Sequence, residues 1–280
     1  MTVVRGLKKF LTEEQAKIQY GILSGKVDTL VTLPMSFNMA FATALVPAIS
    51  SSKAIGDIET VRKRVSFSML ISILIGMPCM TAMIIFAKPI LELLFPNATS
   101  GAFIYQISCL SIVFIVLEQI TSGALHGLGK VFVPAMALGV GVCFKLLLNL
   151  YLIPINTNEF ILGGTAGAAV ATVVCHAIAV SIELKILKKN ISLKLNKSKF
   201  ILKPLVASII MGIISYAFYI IAIQKLESKL VTLLTLLICG IAYIITIVLL
   251  KIFSKEEIFM IPLGSKIYYF LKKLGLYTDS

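Results

Sequence analysis

Two side chains carry a full charge deep inside strongly apolar stretches of this sequence: Glu118, in SIVFIVLEQITSGALHG, and Lys145, in GVCFKLLLNLYLIP. On insertion scales each costs about 2.5–3.5 kcal/mol at the centre of a bilayer-spanning helix, so such residues face a bundle interior or a wet cavity. The run ALHGLGK, 124–130, joins the two stretches as a tight glycine-containing helix hairpin and makes them antiparallel neighbours. Counted from residue 129, Glu118 lies 11 residues back and Lys145 lies 16 forward. At about 1.5 Å per residue their depths differ by only about 7–8 Å. Two roles stay open for Lys145. It can form a structural ion pair with Glu118, or it can face a cavity together with Asn149, one turn further on the same helical face. Snorkelling is disfavoured, because the nearer membrane surface is about 12 Å away by helix rise.

Other polar groups in apolar runs are small. Thr29, Thr32, Ser36, Ala40, Thr43 and Pro47 recur every three or four residues and share one face. Such a face either lines an aqueous cavity or lets a neighbouring helix approach closely. Gly163, Gly167, Ala171, Cys175 and Ala179 form a small-residue ladder, with Gly164, Ala168, Thr172 and His176 beside it. Packing explains those ladders, while Thr172 and His176 remain candidate cavity groups. Gln119, next to Glu118, joins Thr29, Thr32, Ser36, Thr43 and His176 as a cavity-lining candidate.

These residues do not assemble into an enzyme. The aspartates are Asp28, Asp57 and Asp279, and the histidines are His126 and His176. No paired carboxylates or Ser/His/Asp set can be built from them. Cys79, Cys109, Cys143, Cys175 and Cys239 are scattered singly and lack metal-type spacing. No metal and no cofactor are expected. GLGK at 127–130 lacks the spacing of a phosphate loop, and PNAT at 96–99 contains a sequon that carries no further inference.

The elements that position the polar groups follow from composition. Hydrophobic residues make up 58% of the chain and charged ones 14%, with mean hydropathy +0.98. A soluble domain carries about 25% charged residues. The chain therefore reads as an all-α integral membrane protein. At about 20 apolar residues per crossing, seven transmembrane helices are expected, near 27–50, 67–87, 103–124, 132–153, 164–185, 204–223 and 231–250. The net charge of +13 sits in short clusters between spans. That is the positive-inside pattern and speaks against a nucleic-acid partner.

Lysines and arginines crowd 53–64, 130, 185–203 and 251–273. This predicts a cytoplasmic C-terminus and, with seven spans, an outside N-terminus in the cell membrane. The expected organisation is an amphipathic interfacial segment at 1–26, a five-helix unit at 27–187 and a basic cytoplasmic linker at 188–203. A two-helix hairpin at 204–250 and a basic cytoplasmic tail at 251–280 complete it. The basic 1–26 segment fits an outside location poorly, as the remnant of a preceding connection would.

Read in order, VTLPMSFNMAFATALVPAIS, RKRVSFSMLISILIGMPCM, AKPILELLF, LEQITSGALHGLGKVFVPAM, FKLLLNLYLI and GGTAGAAVATVV form a known succession. They resemble the C-terminal half of the stage V sporulation protein B group of polysaccharide biosynthesis transporters. These are relatives of the lipid II flippase MurJ within the multidrug/oligosaccharidyl-lipid/polysaccharide (MOP) exporter superfamily. The resemblance implies two six-helix lobes around a cavity, often with two further C-terminal helices. It also implies alternating-access movement of a polyprenyl-linked sugar, such as a polysaccharide or peptidoglycan precursor, driven by an H+ or Na+ gradient.

This chain would supply most of the second lobe plus the extra pair, and would need the N-terminal lobe or a second copy to close a cavity. Where the MurJ branch places an arginine near the start of this first span, the chain has Thr29. The positions resembling that branch's cation site hold Lys145, Asn149 and Thr172. A tethered ammonium would then stand in the place of the bound cation. The alternatives are a cation-coupled small-molecule exporter of the multidrug type, or a non-transporting subunit or inactive remnant.

Overall fold

The computed structural model describes residues 2–96, 98–260 and 263–273, and among these every regular element is helical. Asn97 of the sequon and residues 261, 262 and 274–280 of the tail lie outside that set. The α-helices run α1 Thr2–Leu7, α2 Glu13–Gly21, α3 Asp28–Ala54, α4 Ile58–Ile85, α5 Ala87–Leu94, α6 Ala102–Cys109 and α7 Ser111–Gly127. They continue with α8 Phe132–Leu152, α9 Gly164–Ile191, α10 Lys203–Ala222, α11 Ser228–Leu249, α12 Lys255–Phe259 and α13 Gly264–Lys273. Among the described residues seven continuous helical segments are long and apolar enough to cross a bilayer. A helix satisfies its own backbone hydrogen bonds, which lipid cannot do. The chain is a multi-pass membrane protein.

It divides into two compact units, Met1–Lys194 and Leu195–Ser280. In the first, α3 packs on α4 and α7, α7 packs on α9, and α8 packs chiefly on α9. Close approach is made possible by glycine. A Cβ on Gly123 would stand 2.6 Å from the Ala42 carbonyl oxygen, and one on Gly141 would stand 2.5 Å from that of Cys175. Neither distance is tolerable, so both helix pairs require a missing side chain. Gly141 faces Cys175 while Gly167 faces Leu152, which sets α8 antiparallel to α9.

The N-terminal segment departs from expectation. Residues 1–26 do not form a separate interfacial helix. A capping box of Thr12 and Gln15 starts α2, which continues through a π-helical turn, Ile22–Val27, into α3. The segment Glu13–Ala54 is one 42-residue helix. No proline interrupts 13–33, and the cation expected to end the run, Lys26, is satisfied within the fold. Its ammonium donates to the Ala98 and Ser100 carbonyls and lies 5.2 Å from the Phe95 ring centroid. The third span is broken at Leu110 between α6 and α7.

Helix α9 also outruns its expected end, reaching Ile191 before Ser192 adopts a left-handed conformation at φ 48°. Arg62 Nε donates to the Ile191 carbonyl at 2.9 Å and so closes that C-terminus. Of the expected linker, 188–191 belongs to α9, a π-helical turn covers Ser198–Leu202, and only 192–196 lies outside helix.

The second unit is the α10–α11 hairpin with the short helices α12 and α13. Lys199 forms an ion pair with Glu257 at 2.6 Å, and Lys203 donates to the Leu250 carbonyl at 2.8 Å.

Candidate functional site

The largest cavity considered, about 580 Å³, lies between α1–α2 and the loops before α6 and α9, and no charged side chain lines it. Titratable chemistry gathers instead in a cleft of about 260 Å³ bounded by α3, α7 and His176 of α9. Thr43, Glu118, Gln119, Ser122 and His126 line it. The four-residue spacing of Glu118, Ser122 and His126 puts all three on one face of α7.

Glu118 does not pair with Lys145. His176 Nδ1 lies 2.6 Å from Glu118 Oε2, and this is the ion pair that Glu118 makes among the described residues. The reason lies in packing. The tight hairpin makes α7 and α8 consecutive, but α7 buries its face against α9, and α8 packs outside them on α9. The carboxylate therefore meets α9 first.

Lys145 sits half-buried on α8. The α8–α9 register places Lys145 and Asn149 at the level of Thr172 and Ala168. Asn149 is 7% exposed, and its Oδ1 has no hydrogen-bond partner. Thr172 spends its hydroxyl on the Ala168 carbonyl at 3.0 Å. The hydroxyls of Thr29, Thr32, Ser36 and Thr43 all lie on the exposed face of α3 and donate to carbonyls of their own helix. The expected stripe is thus a surface, of which Thr43 reaches the cleft.

Two buried polar side chains escape the sequence reading. Asn38 is fully buried, donates to the Val116 carbonyl and to Gln119 Oε1, each at 2.8 Å, and accepts from Ser72. It ties α3, α4 and α7 together behind the cleft. Glu183 is also fully buried and takes hydroxyl contacts from Thr121 and from Ser122, the latter at 2.7 Å. Its nearness to the expected end of the fifth span concealed it; the longer α9 places it in the interior. The apolar flank of Asn38 and its period along α3 were a usable signal, since a buried asparagine needs partners on other helices.

A groove of this kind, with polar and titratable groups on its floor and apolar helix faces around it, is what an amphipathic ligand requires. Residues 26–151, a little under half of the chain, match the MatE family model.

Over 267 residues it is 27% identical to the uncharacterized membrane protein YabM of Bacillus subtilis, covering 93% of this chain and 48% of YabM. Over 86 residues it is 31% identical to stage V sporulation protein B of the same organism, covering 31% of this chain and 17% of that protein. The chain therefore spans about half or less of the length of these relatives. Among solved structures, the lipid II flippase MurJ in an inward-closed conformation superposes with TM-score 0.56 at 17% identity. That match covers 78% of this chain and 46% of MurJ, and shows a shared fold.

Proposed function

We propose that this chain is a member of the MOP exporter superfamily and works as one lobe of a flippase-type exporter for lipid-linked oligosaccharides or polysaccharide precursors. The observation that carries the reading is the cleft: titratable groups on α7 and α9 open beside helices whose outer faces are apolar. A sugar headgroup would occupy the polar floor. The prenyl tail would follow exposed apolar side chains such as Phe144, Leu147 and Leu150 of α8. Stage V sporulation protein B and MurJ, by their names and their likeness to this chain, support a substrate of this class. A neighbouring lobe, supplied by an adjoining segment, another chain or a second copy, would close the cleft and allow alternating access. The basic connections support a cytoplasmic C-terminus and an outside N-terminus.

Within this reading, Lys145 provides a tethered ammonium in the region where relatives hold a cation. Asn149 Oδ1 and the level of Thr172 support that role.

Reconstitution tests the proposal. Vesicles holding the chain together with its neighbouring lobe should move a fluorescent polyprenyl-linked sugar between leaflets, and Lys145→Met should slow that movement by about tenfold or more, the loss of one charged contact. Movement indistinguishable from protein-free vesicles would overturn the transport reading. Export of a soluble organic cation in preference to the lipid would replace the substrate class.

A further inference from the structure

Glu183 is the charged residue that nothing in the proposed cycle uses. It is 0% exposed, on the stretch of α9 that faces α7. Its carboxyl group meets two neutral hydroxyls: Ser122 Oγ lies 2.7 Å from Oε1, and Thr121 Oγ1 contacts Oε2.

The Thr121 hydroxyl has one proton for three oxygens. It lies 3.0 Å from the Leu117 carbonyl and 3.2 Å from the Glu118 carbonyl, besides the carboxyl oxygen. Shared among three acceptors, that proton compensates a charge on Glu183 only weakly.

No cation balances Glu183 among the described residues. The acidic, basic and histidine side chains on elements packed against α9 are Glu118 and His126 of α7, Lys145 of α8, Arg5 of α1, and Glu59, Arg62, Lys63 and Arg64 of α4. Of these Glu118 lies one turn of α7 from Ser122, and it is itself acidic. Arg62 and Arg64 donate to the carbonyls of Ile191 and Ala48, Lys63 pairs with Glu59, and His176 of α9 itself pairs with Glu118. An ionised carboxylate held out of water by two neutral hydroxyls is poorly compensated, and a like charge nearby makes it worse.

We propose that Glu183 is a proton-binding site, opened through Ser122 to the cleft that the Glu118–His176 pair also lines. Ser122, Glu118 and His176 line the same cleft, so water there has a path to each. An incoming proton joins the Ser122 oxygen as the serine passes its own proton to Glu183 Oε1. One O–H bond forms at each oxygen and one breaks at Ser122, so the carboxylate is neutralised and the serine restored. This site stands on the burial and hydrogen-bond geometry of the chain alone, whether or not the chain moves a lipid-linked sugar.

Infrared spectroscopy of the purified full chain tests it. At neutral pH a protonated-carboxyl C=O band should be present, disappear in Glu183→Gln, and persist in Glu118→Gln. Deuterium should shift that band several-fold more slowly in Ser122→Ala than in the parent chain. Glutamine is isosteric with a protonated carboxyl, so Glu183→Gln should keep the thermal stability of the parent at neutral pH. Absence of the band from the parent, or its survival in Glu183→Gln, would overturn the proposal. Failure of Glu183→Gln to fold would overturn it too, since a neutral isostere fails only where the charge is needed. An unchanged deuterium rate in Ser122→Ala would remove the route through the cleft.

Discussion

The first unit bonds its buried asparagine, glutamine and glutamates between helices, whereas the second keeps most of its polar groups within one helix. In α3, α4, α7 and α9 the side chains of Asn38, Ser72, Gln119, Glu118, His176, Ser122 and Glu183 all find partners on another element. In α10 and α11 the hydroxyls of Ser208, Thr232, Thr235 and Thr246 donate to carbonyls of their own helix, and Ser215 Oγ is buried without a hydrogen-bond partner among the described residues. Lipid gives no hydrophobic drive for helix association, so what joins helices there is close packing and polar contact. The first unit has both in depth. The second is a hairpin that can be covered by lipid with little polar chemistry of its own.

Buried thiols allow that contrast to be measured unit by unit. Cys175 is 2% exposed in the first unit and Cys239 is 5% exposed in the second. Chains retaining one of them report, by reaction with a thiol probe on heating, when each unit opens. The largest effect is expected from Gly123→Leu. Its Cβ alone would fall 2.6 Å from the Ala42 carbonyl oxygen, and backbone cannot yield as a side chain can. A loss of about 3 kcal/mol, the upper part of the overpacking range, should lower the Cys175 transition while that of Cys239 holds. Equal lowering of both would mean that the units do not open separately.

Asn38→Ala comes next. Polar contacts between membrane helices average about 0.6 kcal/mol each, so loss of the Val116, Gln119 and Ser72 contacts should cost about 2 kcal/mol. The Cys175 transition should fall and the cleft should lose the orientation of Gln119. A Cys175 transition within about 0.5 kcal/mol of the parent's would show that water or neighbouring side chains replace Asn38 and that the first unit is not built on this residue.

The parts of this architecture that hydropathy controls were legible before the fold. Seven crossings follow from about 20 apolar residues each, and the seven helical segments found correspond to them. The partners of the polar groups were not legible, for a reason visible at Glu118. Its depth relative to Lys145 could be counted along the hairpin, but depth does not say which helix lies on which side. Insertion of the α9 face against α7 gives Glu118 to His176 and leaves Lys145 on the outer helix. Glu183 was hidden by a boundary: a span drawn to the end of the apolar run stops near residue 185, whereas helix propensity carries α9 on through KILKKN to Ile191. The continuous helix from Glu13 was missed on the same ground, because charged residues were taken to mark its start and Lys26 is instead bonded inside the fold.

The smallest expected effect is the one that sharpens the comparison most. Thr235 is 1% exposed and its hydroxyl donates to the Val231 carbonyl at 2.7 Å. Burial of that order would make a polar group costly to disturb if its partner lay on another helix, as with Asn38. Here donor and acceptor share one turn of α11, and the Val231 carbonyl keeps its backbone bond from the helix itself. Removing the hydroxyl removes a back-bond that helices do not need and that slightly weakens them. Thr235→Ala should therefore move the Cys239 transition by less than about 0.5 kcal/mol in either direction. A loss approaching that of Asn38→Ala would mean that Thr235 has a partner beyond its own helix. The second unit would then be held together by polar contact after all, and the contrast between the two units would become one of degree.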